Sequence, residues 1–320
     1  MSHMKKRQSF FLKLAGIAII CVIADAGMGS LLHHFYANIR HGEQGRVNYA
    51  VDTSEEDVLV LGSSRASHTY VASMMAKQFQ LSCYNAGKDK QGIFYCLAML
   101  KMVVARHAPS YIILDVNPYA FAENEKSLDV LYVLLPYYRQ HPEIRPIINK
   151  RSSWEQVKTL SSLYCYNSLP LQIAFNNLSG GRDADAVNGY VPLYRAWNNS
   201  ADTARLIKGL TAAADSSLVN AFKEIVAVSA THGSKLIVVA SPFFVPMAQK
   251  SPTLQKCDEI CRLNRIPFFD YSGLSPFVHN KQLFADGLHL NHIGAFLFSE
   301  KFFSDLQSGG FIKNPAVLTP

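Results

Sequence analysis

Val58-Leu59-Val60-Leu61-Gly62-Ser63-Ser64-Arg65 is the stretch that decides the fold. A four-residue apolar run rich in β-branched residues and ended by a glycine reads as a buried parallel strand emptying into a tight turn. Ser64 then lies at the carboxyl end of a strand. In open α/β sheets that edge is where ligands bind, because the turns leave a crevice and the next helix offers unpaired N–H groups. A serine placed there needs a base, and Asp286-Gly287-Leu288-His289 supplies a candidate far along the chain.

Outward from this strand, the βα rhythm continues. Val71, Met74, Met75 and Phe79 mark a helix, Leu81 to Asn85 a second strand ending at Ala86-Gly87, and residues 91 to 106 a second helix. Ser110 to Val116 forms a third strand that Asn117-Pro118 stops, since proline cannot continue a central ladder. Residues 119 to about 200 break the rhythm with Tyr, Asn, Pro and a Ser179-Gly180-Gly181 run, and read as helices and loops inserted between strands. Such an insertion forms either a lid or substrate wall, or a second packing layer. A helix around Leu218 to Ser229, a strand at Lys235 to Ala240, a helix at 251 to 264 and a last strand at Ile266 to Tyr271 resume the alternation. Asn291 is a good N-cap for a closing helix from His292 to about Leu306.

The 320 residues are 49% hydrophobic and 17% charged, which supplies ample material for a core. The formal charge of +7 is partly concentrated at Lys5, Lys6, Arg7 and Lys13. No run elsewhere interleaves Lys or Arg with aromatics, which argues against a nucleic-acid partner. After the basic cluster comes an apolar run from Phe10 to about Met28, and the positive-inside bias sends everything beyond residue 30 across a membrane. Asp25 makes a poor cleavage site of Ala24-Asp25-Ala26, and Ile20 before Cys21 disfavours lipidation, so an uncleaved anchor is preferred to a signal peptide. The expected organisation is a stub and transmembrane anchor at 1–30, a juxtamembrane linker at 31–56, an α/β domain at 57–310 carrying the insertion, and a tail at 311–320. Cys83, Cys96, Cys165, Cys257 and Cys261 lack a disulfide-framework or metal spacing and read as buried thiols, with one disulfide left open.

A serine hydroxyl is a weak nucleophile at neutral pH. It needs an imidazole to take its proton, a carboxylate to orient that imidazole, and N–H donors for the oxyanion. His289 with Asp286 three residues earlier offers base and orienter on one turn. The backbone N–H of Ser64, the backbone N–H of Gly87 and the Asn117 side chain are the candidate donors. His68 lies too close in sequence to Ser64 to serve easily as base, and His292 is expected along the last helix. Arg65 is expected to pair with an acidic neighbour rather than meet an anionic substrate, and Lys88-Asp89 to be a solvated turn.

Taken in order, these blocks resemble the SGNH/GDSL hydrolase superfamily. Gly62-Ser63-Ser64-Arg65 stands in the place of Gly-Asp-Ser-Leu, Gly87 and Asn117 match the second and third blocks, and Asp286-Gly287-Leu288-His289 matches the last. Ser63 replaces the usual acidic residue, and the third block lacks a Gly before Asn117 and an Asp after it. The resemblance covers about residues 57 to 306. It implies a flavodoxin-like three-layer α/β/α sandwich with a mostly parallel sheet, and esterase or acyltransferase chemistry without cofactor or metal. Gly-Ser-Ser-Arg is similar to membrane-anchored relatives that handle acyl groups on envelope polymers. That implies an extracytoplasmic, periplasmic domain held by a single inner-membrane anchor, an acylated glycan or other envelope ester as substrate, and a possible membrane-bound acyl-donor partner. A catalytically silent binding or assembly module of an envelope polysaccharide complex is the alternative.

Overall fold

The computed structural model describes residues 2–122, 127–179, 185–197, 210–245, 247 and 249–312. Its centre is a parallel five-stranded sheet of β1 (Val58–Leu61), β2 (Cys83–Asn85), β3 (Tyr111–Asp115), β4 (Lys235–Ala240) and β5 (Phe268–Asp270), in the order β2-β1-β3-β4-β5. This is the flavodoxin-like order, in which strands on either side of β1 and β3 diverge and open a crevice at their carboxyl ends. Leu61 pairs with Leu114 and Val60 with Asn85, so the ends of β1, β2 and β3 lie side by side.

Alternation along each strand divides the core into two layers. Leu59, Leu61, Ile112, Leu114, Leu236 and Val238 face one layer, and Val58, Val60, Ile113, Ile237 and Val239 face the other. Over the first layer lie α5 (Ile93–Arg106), α9 (Ser216–Thr231) and α10 (Pro252–Leu263). Over the second lie α3 (Ser64–Thr69), α4 (Ala72–Phe79) and α11 (His292–Ser308). Good caps start three of these helices: Ser251 accepts from Leu254 N–H, Asn291 from Gly294 N–H, and Asp215 from two backbone N–H groups. The expected three-layer sandwich is therefore the observed one.

The domain boundary differs from expectation. Helix α1 (Ser2–Ala37) does not end at the apolar run but continues into the domain, and α2 (Gly42–Asp52) follows it. Tyr36, Ile39, Val47, Ala50 and Val51 are buried in the first core layer, so residues 31–56 are not a linker but part of the fold. Polar residues hold this segment. Asn48 Nδ2 donates to the carbonyls of Tyr36 (2.7 Å) and Ile39 (3.2 Å), while the Tyr137 hydroxyl donates to Asn48 Oδ1 and Gln44 Nε2 to the Tyr36 hydroxyl. Between Lys6 and Ala37, α1 is long and apolar enough to cross a membrane, as a signal sequence near an N-terminus also is. Of the tail expected at 311–320, Ile312 packs into the second layer, and residues 313–320 lie outside the described ones.

The insertion is a packing layer and a wall at once. Leu131, Leu134, Leu135, Ile144, Ile147 and Ile148, from 3-10 turns and the short α6 (Arg145–Ile148), extend the first core layer. Further on come α7 (Glu155–Lys158) and α8 (Pro170–Ser179). Its last part straps the open edge of β2: Asn85 N–H donates to Asn188 O (2.9 Å), and Gly189 sits where a Cβ would come within 2.0 Å of Asn85 O. Val191 N–H then bonds Ser67 O (2.9 Å), and His292 N–H bonds Leu193 O (2.8 Å), which brings residues 190–195 across the sheet's carboxyl edge. All five late cysteines are buried free thiols, and burial pushes Cys83 and Cys257 well above the usual thiol value.

Because Tyr36, Ile39, Val47 and Val51 each bury a side chain worth about 1.5–3 kcal/mol, deleting residues 1–52 removes on the order of 10 kcal/mol of burial. That is comparable to a whole domain's stability, about 5–15 kcal/mol. The expected result is an aggregated or unfolded product by circular dichroism and gel filtration, whereas removing residues 1–22 alone leaves a folded one.

Candidate active site

At the carboxyl end of β1 the chain must turn sharply beneath α3. Gly62 has φ of +157°, and a Cβ there would come within 2.6 Å of Ala66 Cβ and 3.1 Å of Asp115 Cβ, so only glycine lets β1, β3 and α3 meet this closely. Ser63 caps α3, its hydroxyl accepting from Arg65 N–H (3.3 Å), and Ser64 is the first helical residue. Its backbone N–H is one of the unpaired donors every helix start leaves.

Across the crevice the loop between Phe284 and Leu290 carries the base. The structure brings the three expected residues together. Ser64 Oγ lies 2.7 Å from His289 Nε2, and His289 Nδ1 lies 2.8 Å from Asp286 Oδ1 and 3.1 Å from Oδ2. Since Nδ1 faces a carboxylate, it carries the proton and Nε2 is left as the acceptor toward Ser64. Burial alone would raise the Asp286 carboxyl. The hydrogen bond and charge of His289, with the N–H groups of Leu288 and His289 (both 3.0 Å), overcome it and hold Asp286 well below the ordinary carboxylate value. Arg195 from the strap donates to Asp286 Oδ2 at 2.5 Å.

The two other expected donors are placed differently. Gly87 lies beside the nucleophile turn, where Lys88 N–H bonds Gly62 O (3.2 Å), but its own N–H donates to Asn85 Oδ1 (3.0 Å). Gly87 is needed as glycine because a Cβ would come within 2.5 Å of Ser67 N. Asn117 follows β3, half-buried; its Oδ1 accepts from Tyr119 N–H (3.0 Å), and its Nδ2 makes no hydrogen bond among the described residues.

Two expectations around the site need correction. Arg65 makes no ion pair among the described residues, because backbone carbonyls surround it. It donates to Leu288 O (3.0 Å), Ser241 O, Ser241 Oγ and Pro242 O (all 2.8 Å), and lies over the Phe243 ring. Lys88 is not solvated but buried, paired with Glu43 of α2 at 2.6 Å. Asp89 lies 3.3 Å from His68, and His68 is buried with Nδ1 donating to Val191 O (2.7 Å). His68 packs edge-on to His289, ring centroids 5.5 Å apart, so it is part of the site's wall. His292 stands at the start of α11, as expected, between Tyr194 and Phe296. At His68 a cavity of about 680 Å³ opens, lined also by Glu43, Arg46, Lys88, Asp89 and Phe175 among others.

Sequence reasoning missed Asn85 and Asp115. Asn85 is buried, its Nδ2 donating to Ala66 O (2.8 Å) and Tyr70 O (3.0 Å), which fixes α3 on the end of β2. Asp115 Oδ1 accepts from the Tyr70 hydroxyl (2.8 Å) and Ser241 N–H (3.1 Å). Burial raises the Asp115 carboxyl, an effect that the Arg65 charge and these two donors partly offset. A polar residue inside an apolar strand end was the available signal. Among the described residues no three His, Cys, Asp or Glu side chains gather to hold a metal ion.

No protein-family model matches the chain, and no curated protein does. Solved structures similar to it include a lipase/acylhydrolase from Enterococcus faecalis, at 14% identity and a TM-score of 0.38, covering 80% of this chain and 97% of that one. An acetyl xylan esterase is similar at 12% identity and 0.39, covering 78% and 99%. A GDSL-like lipase from Bacteroides thetaiotaomicron is similar at 9% and 0.39, covering 84% and 98%. What the site can do follows from its own geometry rather than from these likenesses.

Two outcomes are expected. Because the folded Asp286 carboxyl is depressed, its stabilising contribution is complete above the unfolded value of about 3.9 and is lost as pH falls toward the folded value. The difference in unfolding free energy between the wild type and Asp286→Asn, measured by urea titration, is therefore constant above about pH 5 and shrinks below about pH 4. Arg65→Met frees the Leu288 carbonyl between orienter and base, so the rate of Ser64 acylation by a fluorophosphonate falls on the order of 10²-fold. Arg65→Lys does not restore it, because a single ammonium cannot reach the acceptors of the planar fork.

Proposed function

We propose that this chain is a membrane-anchored serine esterase or O-acyltransferase of the SGNH/GDSL type, with Ser64 as nucleophile, His289 as general base and acid, and Asp286 as orienter. The continuous hydrogen-bonded path from Ser64 Oγ through His289 to Asp286 carries the reading. Ser64 Oγ attacks the ester carbonyl while its proton passes to His289 Nε2. The imidazolium that forms is held by Asp286, and then returns the proton to the leaving alcohol. An acceptor hydroxyl next loses its proton to His289 and attacks the acyl-enzyme, releasing Ser64. Water as acceptor makes the protein a hydrolase and a sugar hydroxyl makes it a transferase.

The oxyanion is received by Ser64 N–H and the Asn117 amide. Gly87 N–H joins them by sharing itself away from Asn85 Oδ1. The substrate is an acyl ester of a cell-envelope glycan. The 680 Å³ cavity mixes amide, aromatic and aliphatic side chains with charges of both signs, Glu43 and Asp89 against Arg46, Lys88 and Lys90, which suits a hydroxyl-rich chain better than a bare lipid.

The test is fluorophosphonate labelling of the full-length chain in native membranes, read by intact mass. A single adduct on Ser64 that is absent in Ser64→Ala and His289→Ala is expected. No adduct on the folded wild type would instead favour the silent binding module. Asn117→Ala lowers the rate of ester turnover by about 10²–10³-fold, as the loss of one oxyanion donor does. The partition of a labelled acyl group between water and added sugar acceptor separates hydrolase from transferase.

A further inference from the structure

Helix α1 carries an ionisable residue inside its apolar stretch, and the insertion answers it. Asp25 accepts from the Ser161 hydroxyl and from the backbone N–H groups of Ser162 (2.6 Å) and Leu163 (3.2 Å), capping the 3-10 turn that begins there. One turn further along, Gly29 leaves no room for a side chain, since a Cβ would come within 2.2 Å of Ser162 Cβ. The segment at 161–163 is thus pressed against α1 at the level of residues 25–29.

That level can be placed. From Arg7, the last residue of the basic cluster, a helix rises about 27 Å to Asp25, whereas a bilayer's hydrocarbon is about 30 Å thick. If α1 spans a membrane, Asp25 and the segment bound to it lie at or just inside the hydrocarbon boundary. A carboxylate survives there only when paired, and here three donors satisfy it. Immediately before this segment, Trp154, Val157 and Leu160 stand at successive steps of three along α7 and its two ends, Trp154 as its N-cap and Leu160 just past its C-cap, exposed by 67%, 55% and 77%. On α1 Met28 and Leu31 are more than half exposed, and Val157 borders one cavity together with Leu32 of that helix. Lys158 projects beside them, and Arg139 is bound to the carbonyls of Thr159 and Leu160. A tryptophan, two aliphatic side chains and flanking cations make up the composition of a membrane–water interface.

We propose that this face of α7 is seated in the headgroup and upper acyl region of the bilayer that α1 crosses, so that the insertion is a second membrane contact. This rests on α1 being a membrane span. The chain holds two tryptophans, Trp154 and Trp197, which makes the proposal directly readable. The full-length Trp197→Phe variant is reconstituted into phosphatidylcholine vesicles with bromine high on the acyl chains, and its emission is compared with that in unbrominated vesicles. Loss of most of the Trp154 emission is expected, with no loss from Trp197 in the Trp154→Phe variant. A second probe, Leu160→Trp in a chain with both native tryptophans changed to phenylalanine, should be quenched likewise. Flotation of the same samples separates the two possible failures. A chain that floats with the vesicles yet shows both probes unquenched overturns the docking and leaves the anchor standing, as it would if a second copy or another protein covered this face. A chain that does not float overturns both.

Discussion

One buried guanidinium joins the two halves of the site. Ser64 and the Asp286–His289 pair lie more than two hundred residues apart in sequence, one at the start of α3 and the other on the loop before Leu290. Arg65 reaches from the nucleophile's own helix to the carbonyl of Leu288, between orienter and base, and to Ser241 and Pro242 at the end of β4. Ser241 N–H in turn bonds Asp115 on β3, whose carboxylate also holds Tyr70 at the end of α3. A closed circuit of hydrogen bonds therefore links α3 with the ends of two adjacent strands, β3 and β4. Charge-assisted bonds from a planar fork are strong and directional, so the circuit resists the small rotations that would break a 2.7 Å contact between Ser64 and His289.

The sheet and the grouping of Ser64, His289 and Asp286 were legible because their signals are local. Val58 to Leu61 is short, apolar and ended by glycine, and the Asp286 to His289 spacing places both groups on one turn. Much of the rest was not legible because its partners are backbone atoms or distant residues. The carbonyls that hold Arg65 belong to Leu288, Ser241 and Pro242, and a carbonyl leaves no mark on the sequence. Lys88 looks like a loop lysine until Glu43 is brought to it from α2. The N–H of Gly87 looks like a free donor until the Asn85 side chain folds back on it.

The misplaced boundary has a different cause. An apolar helix signals burial without saying what buries it, and α1 runs from its exposed apolar stretch into the core without a break. Beyond it, α2 buries Gln44 and Asn48, which resemble surface residues until Tyr36 and Tyr137 satisfy them. Polar satisfaction within a core depends on residues nearly a hundred positions apart, which periodicity along one helix cannot report.

The absence of a break between α1 and the core also fixes a height. A catalytic domain on a slack tether sweeps a hemisphere and meets any substrate within the tether's reach. Here an unbroken helix runs from the apolar stretch to Tyr36, pinned on the way at Asp25 and Gly29, and behaves as a mast. If the mast stands in a bilayer, the crevice holding Ser64 stays at one altitude above the lipid and turns with the anchor. On the proposed reading such a protein works as a ruler, acting on esters presented at its own elevation, with its choice among otherwise identical acyl groups along a polymer set by geometry rather than by affinity.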